Sequence, residues 1–194
     1  MSAAPVQLIV GLGNPGPNYT ATRHNAGFWF IEALARQADV SLRAERKFHG
    51  WVGRWHRAEG DVHLLCPATY MNHSGRALAA LTQFYRIEPA AILVVHDEID
   101  LAAGEVRLKS GGGHGGHNGL RDIIAALGTR DFLRLRLGVG HPGHADQVVS
   151  YVLHAPARAE REAIDTGIDQ GLAVMPLVTT GALEPAQQQL HTQG

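Results

Sequence analysis

Ala91-Ile92-Leu93-Val94-Val95-His96-Asp97-Glu98-Ile99-Asp100-Leu101 is an apolar run that turns abruptly acidic. The run is rich in Ile, Leu and Val and reads as a buried, interior strand. Acidic residues at the end of such a strand stand where α/β sheets place their sites. Outward from it, strand and helix patterns alternate. Residues 7–10, 51–57, 62–66, 106–108 and 134–139 read as strands, with a turn at Glu59-Gly60-Asp61 making 51–66 a hairpin. Residues 26–37, 75–85 and 120–127 carry apolar positions at helical spacing, among them Phe28, Ile31, Leu34 and Leu78, Leu81, Phe84. Helix dominates from Ala145 onward, with breaks expected near Pro156, Pro176 and Pro185. The alternation predicts a single α/β domain over 1–194 with a mixed sheet. Residues 1–6 are expected to form a disordered tail and 183–194 a C-terminal helix or tail.

The 194 residues suffice for one core, and 45% hydrophobic with 18% charged residues is an ordinary globular balance. One cysteine, Cys66, cannot form an intramolecular disulfide, so a reducing compartment is expected. No apolar run approaches the roughly 20 residues of a membrane helix. Met1-Ser2-Ala3-Ala4-Pro5 has no basic stretch, so no signal peptide and a cytoplasmic location are expected. Net charge is −1, which argues against nucleic acid as partner. Locally the balance differs. Between Glu105 and Gly140, Arg107, Lys109, Arg121, Arg130, Arg134 and Arg136 face only Glu105, Asp122 and Asp131. That excess fits a phosphate-facing patch or a solvated mixed face equally well.

Four further segments sit at strand ends. Gly11-Leu12-Gly13-Asn14-Pro15-Gly16 matches G-x-G-x-x-G, a weak sign of a dinucleotide site. Pro15 and Pro17 disfavour an immediate helix, and no second strand with a terminal acid follows. His24 stands just before a helix and is of a type that exchanges protons near neutrality. Asp97 is the natural carboxylate to hold such an imidazole in one tautomer. Asn72, in Tyr70-Met71-Asn72-His73-Ser74, offers a donor and an acceptor, or serves as a helix cap. The loop Gly111-Gly112-Gly113-His114-Gly115-Gly116-His117-Asn118-Gly119 lets backbone amides approach a ligand, with Asn118 again a ligand group or a cap. No G-x-S-x-G elbow occurs. His24, His96, Asp97, His114 and His117 are of metal-ligating types, but no H-E-x-x-H spacing exists. A metal-dependent hydrolase and a nucleotide-binding module are therefore the alternatives, and no metal or cofactor is expected.

Taken together and in order, these segments resemble the bacterial-type peptidyl-tRNA hydrolase family over about residues 7–155. The match runs through Gly11–Gly16, Tyr19, Thr22-Arg23-His24-Asn25, Tyr70-Met71-Asn72, Ser74-Gly75, His96–Leu101, residues 111–120 and Arg134-Leu135-Arg136. The resemblance implies a mixed twisted sheet surrounded by helices and hydrolysis of the ester between a peptide and tRNA. It implies His24 as general base, Asp97 as the acid that keeps it basic, and Asn14 as the group orienting the scissile end. Tyr19, Tyr70, Met71, Asn72, Gly115, His117 and Asn118 are implied as substrate-binding positions, and Lys109 and Arg136 as contacts to a tRNA phosphate. Peptidyl-tRNA is the implied partner, through its CCA end and acceptor stem. A monomer without an obligate protein partner is expected. Ala102-Ala103 departs from the prolines frequent in the family at that turn.

Overall fold

The apolar run becomes β5 (Ile92–Glu98), an interior strand of a seven-stranded sheet in a computed structural model that describes residues 3–192. The other strands are β1 (Leu8–Gly11), β2 (Arg43–Glu45), β3 (Gly50–Trp55), β4 (Val62–Pro67), β6 (Val106–Ser110) and β7 (Leu133–Gly138). Their order is β2-β3-β4-β1-β5-β7-β6. β4, β1, β5 and β7 run parallel, and antiparallel partners close both sides: β3 and β2 on one, β6 on the other. The expected hairpin of β3 and β4 and the mixed sheet are both present.

Helices cover the two faces because residues of the inner strands alternate between two cores. Ile9, Leu93 and Val95 pack with α1 (Ala26–Ala38), α5 (Arg158–Thr179) and α6 (Leu183–Thr192). Leu8, Val10, Ile92 and Val94 pack with α2 (Ser74–Tyr85) and α3 (Asn118–Leu127). A short helix, α4 (Val148–Val152), stands near the strand ends.

Two expectations change. The break near Pro176 does not occur at that residue, while helix stops before Pro156 and is interrupted at residues 180–182, just ahead of Pro185. Pro176 lies inside the last turns of α5, where buried Leu172, Val174, Met175 and Val178 hold the helix together despite the missing N–H. Pro185 is the third residue of α6, within the first turn, where backbone N–H groups have no partner in the helix anyway. Of the expected tail 1–6, residues 1 and 2 lie outside the described residues. In the remainder Ala4 and Pro5 are exposed, but the Ala3 N–H donates to the Gly181 carbonyl at 3.0 Å, and Val6 is buried in the α1/α5 core. Strand β2 had no sequence signal, since all three of its residues are exposed and two are charged, as suits a sheet edge.

Candidate active site

The chain leaves β1 through residues 12–22, makes one tight turn at Arg23–Asn25 and enters α1. The start of α1 sits unusually close to the strand ends. A Cβ on Gly27 would lie 2.4 Å from the Leu12 nitrogen and 2.5 Å from the Val95 carbonyl oxygen, and one on Gly11 would lie 2.2 Å from the Gly27 oxygen. These glycines therefore serve helix-to-strand contact. The contact brings His24, one turn ahead of α1, beside the end of β5.

There His24 Nδ1–H donates to Asp97, 2.9 Å from Oδ2 and 3.1 Å from Oδ1. A second imidazole approaches from the other side: His117 Nε2–H donates to Asp97 Oδ1 at 2.8 Å. The His117 tautomer follows from its other nitrogen. Nδ1 accepts from the Gly119 and Leu120 N–H groups at 3.1 and 3.4 Å, capping α3, so the ring proton is on Nε2. Asp97 is buried, 3% exposed, and among the described residues its carboxylate takes its side-chain partners from these two rings. Burial raises its pKa, but the charges and hydrogen bonds of His24 and His117 outweigh that and hold it well below the usual carboxylate range. For His24, burial pulls the pKa down, and the charge and hydrogen bond of Asp97 together push it above the ordinary 6.5. With Nδ1 held by Asp97, His24 Nε2 is left to face a cleft of about 660 Å³.

Asn14 stands across that cleft, 6% exposed and braced at three points. Its N–H donates to Asn25 Oδ1 at 2.9 Å, and Asn25 Nδ2 donates back to its carbonyl at 3.0 Å. The Met71 N–H donates to Asn14 Oδ1 at 2.7 Å. Only an oxygen can accept there, so the amide is oriented and Nδ2 is the atom presented to the cleft. Met71 is buried and lines the cleft floor. Asn72, Gly115 and Asn118 are exposed on its rim, and neither asparagine caps a helix through its side chain. His117 lines the cleft as well, and both its ring nitrogens bind protein, one capping α3 and the other holding Asp97. Tyr19 and Tyr70 meet edge-to-face at 6.3 Å, and Tyr70 is 59% exposed. Neither tyrosine lines the cleft itself.

The basic positions fall beside the cleft, on β6 and β7. Cross-strand register pairs Arg107 with Arg136 and Lys109 with Arg134, so all four share one face. Three are engaged within the protein. Arg134, 2% exposed, donates to the Gly112 and Gly113 carbonyls and holds the glycine-rich loop. Arg136 pairs with Glu98 at 2.9 Å, and Arg107 approaches Glu105 at 3.8 Å. Lys109 is exposed and has no ion-pair partner among the described residues.

Three groups of the cleft have roles that sequence reasoning did not assign. Asn25 and Arg134 lay within recognised motifs, but side-chain braces leave no periodic signal. His96 is 2% exposed, and its Nδ1–H donates to the Asp97 carbonyl at 2.9 Å. Burial, then the neighbouring His117, brings its pKa down to about 4. His24, Asp97 and His117 bring ligand atoms within 4.8 Å of one another. The hydrogen bonding fits protons better, because the His117 atom that would bind an ion carries the proton that its cap at Nδ1 forces onto it.

The sequence model of the Peptidyl-tRNA hydrolase family matches residues 8–194. A peptidyl-tRNA hydrolase of Pseudomonas paraeruginosa is 58% identical over 189 residues, covering 97% of both chains. One of Nitrosospira multiformis is 56% identical, covering 97% of this chain and 98% of that protein. The crystal structure of the Acinetobacter baumannii peptidyl-tRNA hydrolase superposes with a TM-score of 0.91 at 49% identity, over 95% of this chain and 94% of that one. With the family model matching almost the whole chain, more than half the residues identical to those relatives and the fold shared, the chain belongs to the peptidyl-tRNA hydrolase family.

Proposed function

We propose that this enzyme hydrolyses the ester joining a peptide, or an N-blocked amino acid, to the terminal ribose of tRNA, with water activated by His24. The observation that carries the reading is the His24–Asp97 pair at 2.9 Å, which holds Nδ1 and leaves Nε2 as a proton acceptor in the cleft. Nε2 takes a proton from water as its oxygen bonds to the acyl carbon. The bond from that carbon to the ribose oxygen then breaks, and the proton passes to the departing ribose hydroxyl. General-base help of this kind is typically worth about 10²–10⁴ in rate. Asp97 stabilises the imidazolium that forms in between.

Asn14 Nδ2 is the best-held donor for the developing oxyanion, since Met71 holds its side-chain oxygen and Asn25 pins its backbone before any substrate arrives. Asn72, Asn118 and Gly115, with Tyr19 and Tyr70 nearby, would hold the peptide and the terminal nucleotide. Lys109, aided by Arg136, would meet a phosphate of the acceptor stem. A monomeric state and a cytoplasmic location, where tRNA substrates are met, belong to this reading. No helix among the described residues is long and apolar enough to cross a membrane. The test is hydrolysis of N-acetylated against free aminoacyl-tRNA. Strong preference for the acetylated form is expected, and equal cleavage of both would overturn the assignment.

A further inference from the structure

A second cavity adjoins the cleft on the far side of Asn14. It measures about 280 Å³ and shares Asn14 as a wall with the cleft that holds His24. That is just below the roughly 300–1,000 Å³ of pockets for drug-sized ligands, so it suits one side chain better than a nucleotide.

Its lining includes three aromatic rings and a single charged residue. Phe28 and Trp51 meet edge-to-face at 6.3 Å, and Trp29 is fixed by its Nε1–H donating to the Thr20 carbonyl at 2.9 Å. Glu32 is exposed, lines the same cavity and has no ion-pair partner among the described residues. Its carboxylate acts on the cavity: after burial, Glu32 is the second cause raising the pKa of the Cys66 thiol, another lining residue. Aromatic faces beside an unpaired carboxylate attract a cation. The protein supplies an internal example, since the Arg161 guanidinium lies 3.4 Å from the centre of the Trp29 ring without itself lining the cavity.

Position along the sheet says which part of a substrate would reach it. The cations stand on β7 and β6, the His24–Asp97 pair at the ends of β1 and β5, and Trp51 and Cys66 on β3 and β4. The cavity therefore lies on the side of the reacting bond away from the phosphate-facing residues, where the acyl group must go. The geometry points to a peptide side-chain subsite here, built to take a Lys or Arg side chain within two residues of the ester. This rests on the hydrolase reading and adds to it a preference among peptides.

The experiment loads one tRNA with N-acetylated Ala-Ala, and with variants carrying Lys or Glu at either position, and measures kcat/KM for each. Selectivity is read as the Lys-to-Glu ratio within each enzyme. The wild type is expected to favour Lys by about fivefold or more at one position, from ring–cation attraction and Glu32 together. Glu32→Gln, a change at an exposed residue, should bring that ratio to within about twofold of one. A wild-type ratio near one at both positions, or a ratio unchanged in Glu32→Gln, overturns the subsite alone. Failure of the wild type to cleave even acetyl-Ala-Ala-tRNA overturns the hydrolase reading beneath it.

Discussion

Replacing Asp97 by asparagine changes one atom and should disable the base, for a reason set by His117. Asp97 offers oxygens to two ring N–H donors, His24 Nδ1 and His117 Nε2. Asparagine keeps one oxygen and puts an NH₂ donor in place of the other. His117 cannot switch tautomer without giving up the Gly119 and Leu120 amides on Nδ1, so it claims the remaining oxygen. The NH₂ then faces His24 Nδ1, which must become an acceptor. Its proton moves to Nε2, the atom that should take one from water. The expected loss is therefore the whole base contribution, about 10²–10⁴ in kcat/KM, or roughly 2.7–5.4 kcal/mol at 1.36 kcal/mol per decade. The pH profile supplies a second readout. A general base works unprotonated, so activity rises with pH through the His24 pKa. Asp97 holds that pKa above 6.5. Removing the charge must shift the acidic limb of the residual activity downward. Hydrolysis of acetylaminoacyl-tRNA under single turnover from pH 4.5 to 9 measures both. A variant within about tenfold of wild type, with its limb unmoved, would refute the coupling.

His24→Ala should lower turnover at least about a hundredfold while tRNA affinity by filter binding stays nearly intact; near-normal turnover would remove the proposed base. Asn14→Ala removes the oriented amide donor, and kcat should fall by about 10²–10³ with little change in KM. An effect confined to KM would make Asn14 a binding group only. Lys109→Ala should weaken binding of tRNA substrates more than of short N-acetyl esters and make binding less salt-dependent. Equal effects on both substrates would deny it a phosphate contact.

Much of the fold was legible because the inner strands are apolar and the helices amphipathic. The run Ile92–Val95 and the spacing of Phe28, Ile31 and Leu34 each reflect a buried face. Edge strand β2 was invisible for the opposite reason: Arg43, Ala44 and Glu45 bury nothing. Pro176 misled because a rule for isolated helices ignores tertiary packing, which carries α5 through it. In the site, His24 and Asp97 could be named from chemistry and motif order, yet their meeting depends on the Gly11–Gly27 contact, 16 positions apart in sequence. His117 shows the limit of reading residue types. A histidine in a glycine-rich loop looks like a ligand group, and here it caps a helix and holds the acid.

Base catalysis by His24 turns on where one proton sits. Nitrogen-15 NMR of His24 in the wild-type enzyme, titrated from pH 5 to 9, reads the tautomer and the pKa together. The prediction is a neutral ring protonated on Nδ1 with Nε2 bare, titrating above 6.5. A neutral ring protonated on Nε2, or a titration at or below 6.5, would contradict it.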